Sequence, residues 1–253
     1  MKLQGNTILI TGGSNGIGLA FAKKFAADNE VIITGRDQAK LDAAAKETPA
    51  LKTIRSDAAD LAAITTLATE VKDKYPKLNV LFNNAGIMVF RNIALADDLD
   101  ALTTEIDINL AGPIRLVSAL VELLCANRGT IINVSSGLAF VPLPSAPIYC
   151  ATKAAMHSYT VSLREQLADR GVEVIELMPP AVKTDLAPLP EEGVKVITTD
   201  QLVDMTWKAL AKGRTEIRPG QANGLRFMSR VAPGFIQKQL SKGSKASIPK
   251  TAR

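Results

Sequence analysis

Tyr149 and Lys153 stand four residues apart in a stretch whose apolar spacing predicts a helix, so their side chains share one face. A free tyrosine titrates at about 10, too high for easy proton exchange at neutral pH, and an ammonium on the same face lowers that value by stabilising the phenolate. The pair is a candidate acid/base. A Tyr/Lys spacing of four is common by chance and usually marks a surface pair. Ser136, thirteen residues before Tyr149 at the end of a predicted strand, gives this one weight, as does Asn109, in an earlier helix within Asn109-Leu110-Ala111-Gly112-Pro113. Ser135 competes with Ser136, the spacing favouring Ser136. His157 is the only histidine and there are two cysteines, which leaves little room for a metal cluster or a Ser-His-Asp triad.

The second constellation is a glycine turn, Thr11-Gly12-Gly13-Ser14-Asn15-Gly16-Ile17-Gly18, between a β-branched run and an apolar helix. Glycines there permit a tight turn, let the backbone approach a pyrophosphate and let the helix pack against the sheet. Free N–H groups at the helix's positive end then meet the phosphates. Glycine-rich turns also serve plain chain reversal; the position after the first strand favours nucleotide binding.

These groups need a scaffold, and the sequence supplies a regular one. Short β-branched runs recur at Thr7–Thr11, Val31–Thr34, Leu51–Arg55, Asn79–Asn83, Thr130–Val134 and Val172–Leu177, separated by helical apolar spacing such as Leu19, Ala22, Phe25 and Ile64, Leu67, Val71. The alternation predicts a single doubly wound α/β domain of Rossmann type over residues 1–240, a parallel sheet with helices on both faces. With 253 residues and 47% hydrophobic content, the chain is large enough for one such core. Residues 185–200, with Pro188, Pro190 and Gly193, read as a lid, and 241–253 as a disordered basic tail.

The net charge of +5 is unevenly spread. From Trp207 onward eleven Lys and Arg face one acid, Glu216, a local balance of +10 that leaves −5 for the body. No apolar run approaches a bilayer span, residues 1–6 lack a signal peptide's apolar region, and neither cysteine lies in a CxxC, so the expectation is a reduced, cytoplasmic protein with no membrane span.

The glycine spacing is GxxxGxG. With it, the chain from about Gly5 to Gly220 resembles the short-chain dehydrogenase/reductase family, and the segment Ser135 to Lys153, with Phe140-Val141-Pro142 and Ala146-Pro147-Ile148-Tyr149-Cys150, is similar to its DltE-type branch. The resemblance implies a tetrad in which Ser136 holds a substrate carbonyl oxygen, Tyr149 protonates it, Lys153 also bonds the nicotinamide ribose and Asn109 positions a relay water. It implies cofactor contacts from Gly12, Ser14, Asn15, Gly16, Ile17 and Gly18, from Asp57 to the adenine, and from Asn83, Ala85 and Gly86 in Asn83-Asn84-Ala85-Gly86. Further on, Pro179, Val182 and Thr184 border the nicotinamide, although Pro180 stands where the family has glycine. NAD-selective relatives carry a carboxylate at the position of Gly35; here Arg36 follows instead, suited to a 2′-phosphate, so NADP is preferred over NAD. Asn15 gives no second cation, and the alternative is that Arg36 and Asp37 only cap the next helix.

The implied function is hydride transfer between NADP(H) and a small-molecule ketone, aldehyde or secondary alcohol. The alternatives are NAD-dependent alcohol oxidation and a non-catalytic dinucleotide-binding regulator or scaffold. Met88, Phe90, Pro142, Leu143, Leu186 and Leu189 are candidate walls of an apolar pocket, while His157, Cys150, Cys125 and Trp207 read as packing residues. The family's habit points to a homodimer or homotetramer through the helices around Val117 and Tyr159. The basic C-terminal stretch, with Leu225, Met228, Val231, Phe235 and Ile236 among Arg226, Arg230 and Lys238, is expected to pack its apolar side; a membrane-surface helix is the competing reading, and nucleic acid the weakest.

Overall fold

The computed structural model describes residues 1–95, 98–186, 195–244 and 247–250. Seven parallel strands form one sheet: β1 (Thr7–Thr11), β2 (Glu30–Gly35), β3 (Leu51–Arg55), β4 (Leu78–Asn83), β5 (Thr130–Val134), β6 (Glu173–Leu177) and β7 (Glu216–Ile217). Their order is β3-β2-β1-β4-β5-β6-β7, the doubly wound arrangement expected, with the reversal of direction between β1 and β4. β7, two residues long, was not legible as a strand; its register is set by Met178 N–H donating to the Ile217 carbonyl and Glu176 N–H to that of Thr215.

Strand alternation sorts the core into two layers. Ile8 and Ile10 of β1 pack with Phe21 and Phe25 of α1 (Gly16–Phe25), whereas Leu9 turns to the opposite face. There it meets Leu67 and Val71 of α3 (Leu61–Lys74) and Leu116 and Leu120 of α5 (Gly112–Ala126). Both faces are dry, which is why these strands read as continuous apolar runs. Helix starts are fixed by side chains. Asp37 caps α2 (Gln38–Glu47) by accepting from Lys40 N–H at 3.1 Å, and Asp60 caps α3 through Ala62 and Ala63.

α4 (Leu99–Ile106) continues into α5 through one π-helical turn, Asp107–Ala111. Pro113 explains the turn: it has no N–H to give to Asn109, and in a regular helix its ring would strike that carbonyl. The continuous helix, Leu99–Ala126, holds an 18-residue stretch of mean hydropathy 1.6 and so is, by length and composition alone, long and apolar enough to cross a membrane, where the expectation was that no run approaches that length. Its apolar side, Leu116, Val117, Leu120 and Leu124, is buried against the sheet and α3. Val117 and the half-buried Tyr159 therefore serve the core; on α6 (Pro147–Leu167) the exposed apolar side chain is Val161.

Of the expected lid, residues 187–194, including Leu189, lie outside the described residues. Its ends are pinned together: Lys183 N–H donates to the Ile197 carbonyl and Ile197 N–H to that of Ala181, just before α7 (Thr199–Leu210). The expected disordered tail begins too early. Ser241 to Ser244 form the last turn of α9 (Pro233–Ser244), which follows α8 (Gln221–Val231). Ser244 is buried because its hydroxyl accepts from Ser145 N–H at 3.0 Å and meets the Ser145 hydroxyl at 3.1 Å, partners that composition alone does not reveal.

Candidate active site

The glycine turn and the loop after β4 are built against each other. Thr11 Oγ1 accepts from the N–H groups of Asn84 and Ala85, both at 3.1 Å, while Asn84 Nδ2 donates to the carbonyls of Thr11 and Gly12 at 3.0 Å. At Gly12, φ is +63° and a Cβ would lie 2.8 Å from Ala85 Cα; at Gly18 it would lie 2.3 Å from the Gly12 carbonyl oxygen. The turn leads into α1 without a side-chain cap from Asn15, so the backbone at the helix start forms the cradle that suits a pyrophosphate. Ile17 packs its side chain toward the core, leaving only its backbone for a ligand. Thr184 approaches Gly16, so the segment after β6 closes over the same turn.

At the outer end of the cradle, Ser14 Oγ lies 3.0 Å from where a Cβ on Gly35 would stand. Arg36 is exposed there, and Asp37 does cap α2 as the bland reading had it. The sequence reading missed Arg55. Parallel pairing sets it opposite Gly35, and its Nε donates to the Arg36 carbonyl at 3.1 Å, so two guanidinium groups flank a position without a carboxylate. Asp57 accepts from Ala59 N–H at 2.9 Å in a turn beside them.

Two of the expected contact residues are buried and engaged within the fold. Asn83 is buried between strands, its Nδ2 donating to Asn133 Oδ1 at 2.9 Å, and Asn133 in turn donates to Thr160. It locks β4 to β5 because its side chain points along the sheet interior. Pro179 is buried too, its carbonyl accepting from Gly137 N–H at 3.1 Å, which fixes the backbone next to Ser136.

Ser136, Tyr149, Lys153 and Asn109 converge at the carboxyl edge of the sheet. The Ser136 side chain faces the Tyr149 hydroxyl closely enough to favour its phenolate, and its Oγ accepts from Leu138 N–H at 3.1 Å. Lys153 Nζ lies 5.6 Å from the centre of the Tyr149 ring and donates to the Val134 carbonyl at 2.8 Å. Asn109, on the π turn, accepts from Ile87 N–H at 2.8 Å and donates to the Ile87 carbonyl and Thr152 Oγ1. Gly86 separates Asn109 from Lys153: a Cβ there would be 3.2 Å from Asn109 Oδ1 and 3.6 Å from Lys153 Nζ.

The electrostatics differ from the expectation of a lowered tyrosine. Burial pushes Tyr149 above its ordinary value, opposed by the Ser136 hydrogen bond and reinforced by the nearby Cys150 and Glu105. Burial also lowers Lys153 to about 8, so its ammonium is itself costly in this site. Cys150, which accepts from Leu143 N–H, is pushed up to about 11 by burial and is held as an unreactive thiol. Met88, Phe90, Leu138 and Leu143 pack around Tyr149 and Ala146 as an apolar wall.

Behind the tetrad lies a network that the sequence reading did not assemble. Glu176 of β6, with no exposed surface, accepts from the Ser135 hydroxyl and pairs with His157 Nδ1 at 2.8 Å. Ser135 is thereby committed to Glu176 while Ser136 faces Tyr149. His157, one turn beyond Lys153, links α6 to β6 instead of merely packing, although its ring also meets Phe140 edge-on. The available signal was a glutamate inside the apolar strand Glu173–Leu177, where burial requires a partner.

The short chain dehydrogenase family model matches residues 6–194. An uncharacterized oxidoreductase of Bacillus subtilis, DltE, is 40% identical over 240 residues, covering 91% of this chain and 94% of its own. A short chain dehydrogenase from Burkholderia cenocepacia, solved in complex with NADP, superposes with a TM-score of 0.83 at 25% identity, over 95% of this chain and 99% of its own. A 3-ketoacyl-(acyl-carrier-protein) reductase from Brucella melitensis, complexed with NADH, gives 0.78 at 26% identity, over 85% and 97%.

Proposed function

The chain belongs to the short-chain dehydrogenase/reductase family, and from that premise we propose that it is an NADP(H)-dependent carbonyl reductase, interconverting a ketone or aldehyde and the matching alcohol. The observation that carries this reading is the convergence of Ser136 and Tyr149, both buried, in front of a buried Lys153 whose Nζ lies 5.6 Å from the Tyr149 ring centre. Burial keeps Tyr149 protonated at neutral pH, so it enters the reductive direction as a loaded proton donor. Ser136 holds the substrate oxygen beside that proton, and Tyr149 delivers it as negative charge develops there. Lys153, positively charged below about 8, then favours the phenolate that is left. Asn109, held by Ile87 and Thr152, keeps the π turn against Lys153 for proton resupply. When bound, the nicotinamide supplies the hydride.

The backbone of Gly12, Ser14, Asn15, Gly16, Ile17 and Gly18 would hold the pyrophosphate at the start of α1, Asp57 and Ala85 would border the adenine, and Gly86, Val182, Thr184, Tyr149 and Lys153 would border the nicotinamide ribose and ring. Arg36 and Arg55 would bind the 2′-phosphate of NADP, a guanidinium fork being suited to phosphate oxygens. A carbonyl panel assayed with NADPH and NADH tests the whole reading. Tyr149→Phe should abolish turnover while sparing cofactor binding; unchanged turnover would sink the mechanism, and wild-type binding without turnover would favour a regulator. Arg36→Ala with Arg55→Ala should weaken NADPH by about ten- to a hundredfold and NADH little. Equal losses would favour the NAD-dependent alternative. We further assign the enzyme to the reducing cytoplasm, given two unpaired cysteines, and to a homodimer or homotetramer formed through α6, where Val161 is exposed.

A further inference from the structure

The C-terminal pair of helices has two unlike sides. On the inner side of α8, Leu225 and Ala222 press on Gly137, next to Ser136, and Arg226 and Arg218 both bond Glu216. On the inner side of α9, Gln237 donates to the Pro142 carbonyl and Ser244 clasps Ser145. Leu225, Met228 and Ile236 are half-buried, in line with the expected packing, but Val231 and Phe235 depart from it: with Phe227 they are on the outer side, Phe227, Val231 and Phe235 being 64%, 64% and 60% exposed. Each exposed phenylalanine has an exposed cation three residues on, Arg230 after Phe227 and Lys238 after Phe235, with Lys242 one turn further. Among the described residues none of these three cations has an acidic partner, and the chain from Ile217 to Arg253 contains no acid at all.

We propose that the outer face of α8 and α9 docks on an anionic lipid surface, with Phe227, Val231 and Phe235 entering the headgroup boundary and Arg230, Lys238 and Lys242 meeting the phosphates. Charge selects the occupant. A second copy applying this same face would bring cations against cations with no acid to relieve them, whereas an anionic bilayer complements every charge on it. Protruding phenylalanines between lysines and arginines are the arrangement by which a peripheral helix combines apolar insertion with electrostatic attraction. The mode is surface binding, not spanning, and is reversible. It does not depend on the reaction assigned above.

The test is co-sedimentation of the whole protein with vesicles of phosphatidylcholine, with and without phosphatidylglycerol. Partitioning should be at least tenfold stronger on the anionic vesicles and should fall as salt rises. Phe227→Ser with Phe235→Ser should cut it at least tenfold at an unchanged melting temperature, both side chains being exposed. Arg230→Gln, Lys238→Gln and Lys242→Gln should each reduce it by about fivefold. Equal binding to neutral vesicles, no binding to anionic ones, or full binding by the double phenylalanine variant would overturn the proposal. So would light scattering that finds the double variant monomeric and the wild type oligomeric, since the face would then belong to a contact between copies.

Discussion

The two halves of the sheet position their functional groups by opposite means. Around β1 to β3 the backbone does the work: Gly12 and Gly18 leave no space for a Cβ, and the turn they shape offers N–H groups, not side chains. Around β5 and β6 buried polar side chains do it: Ser135, Ser136, Asn133, Tyr149, Lys153 and Glu176 are all below a tenth exposed and held by hydrogen bonds to one another or to the backbone. The first half should therefore fail when atoms are added, and the second when atoms are removed. In the first half the damage is steric and falls on the turn; in the second it falls on proton transfer or on the buried partners that are left stranded.

The largest effect should come from Tyr149→Phe, which removes one oxygen. Loss of about 10³-fold or more in kcat is expected, since a general acid in the transition state contributes on that scale, with the melting temperature held or raised. A large drop in melting temperature would break the comparison, because the hydroxyl would then be a structural group. Glu176→Ala comes next. It strands His157 and the Ser135 hydroxyl, and denaturant unfolding should show a loss of about 3 kcal/mol. Glu176→Gln should recover part of that stability but not all of kcat, which separates the carboxylate's charge from its shape.

Gly18→Ala puts a methyl group 2.3 Å from the Gly12 carbonyl oxygen and should cost about 2 kcal/mol, with cofactor affinity lost in the same variant. An unaltered melting curve would show that the turn has room to give, and the contrast between halves would shrink. The most gradual effect is a pH dependence. Lys153 falls from 10.5 to about 8 on folding, so between those values the unfolded chain binds more protons and stability should rise with pH. Its burial cost is full below about 8 and disappears as pH passes the unfolded value. The stability difference between wild type and Lys153→Met should therefore shift toward wild type from pH 7 to 10.5, by at most about 3 kcal/mol. A difference independent of pH would mean that the ammonium is hydrated in the folded protein.

Legibility followed the same division. Asp37 could be read as a helix cap, and the six longer strands as apolar runs, because the forces that set them act over a few residues. Arg55 could not be read as a neighbour of Arg36, since only the pairing of β2 with β3 brings it opposite Gly35. The lowered tyrosine was expected from helix spacing, but spacing carries no information about burial, and burial sets the direction for both Tyr149 and Lys153. The tail from Ser241 looked unstructured because the buried partner of Ser244, Ser145, is ninety-nine residues away, and Asn92, which donates to the Pro249 carbonyl, is farther still.

Sequence by itself determined the doubly wound sheet, the glycine turn and the family, since each rests on local periodicity or on residues whose spacing is their geometry. Tertiary structure decided which serine faces Tyr149, where Asn83 points, what Glu176 and His157 hold, and that Phe227, Val231 and Phe235 stay outside. Those outcomes depend on solvent exclusion and on contacts between distant segments, and neither quantity exists until the chain has closed on itself.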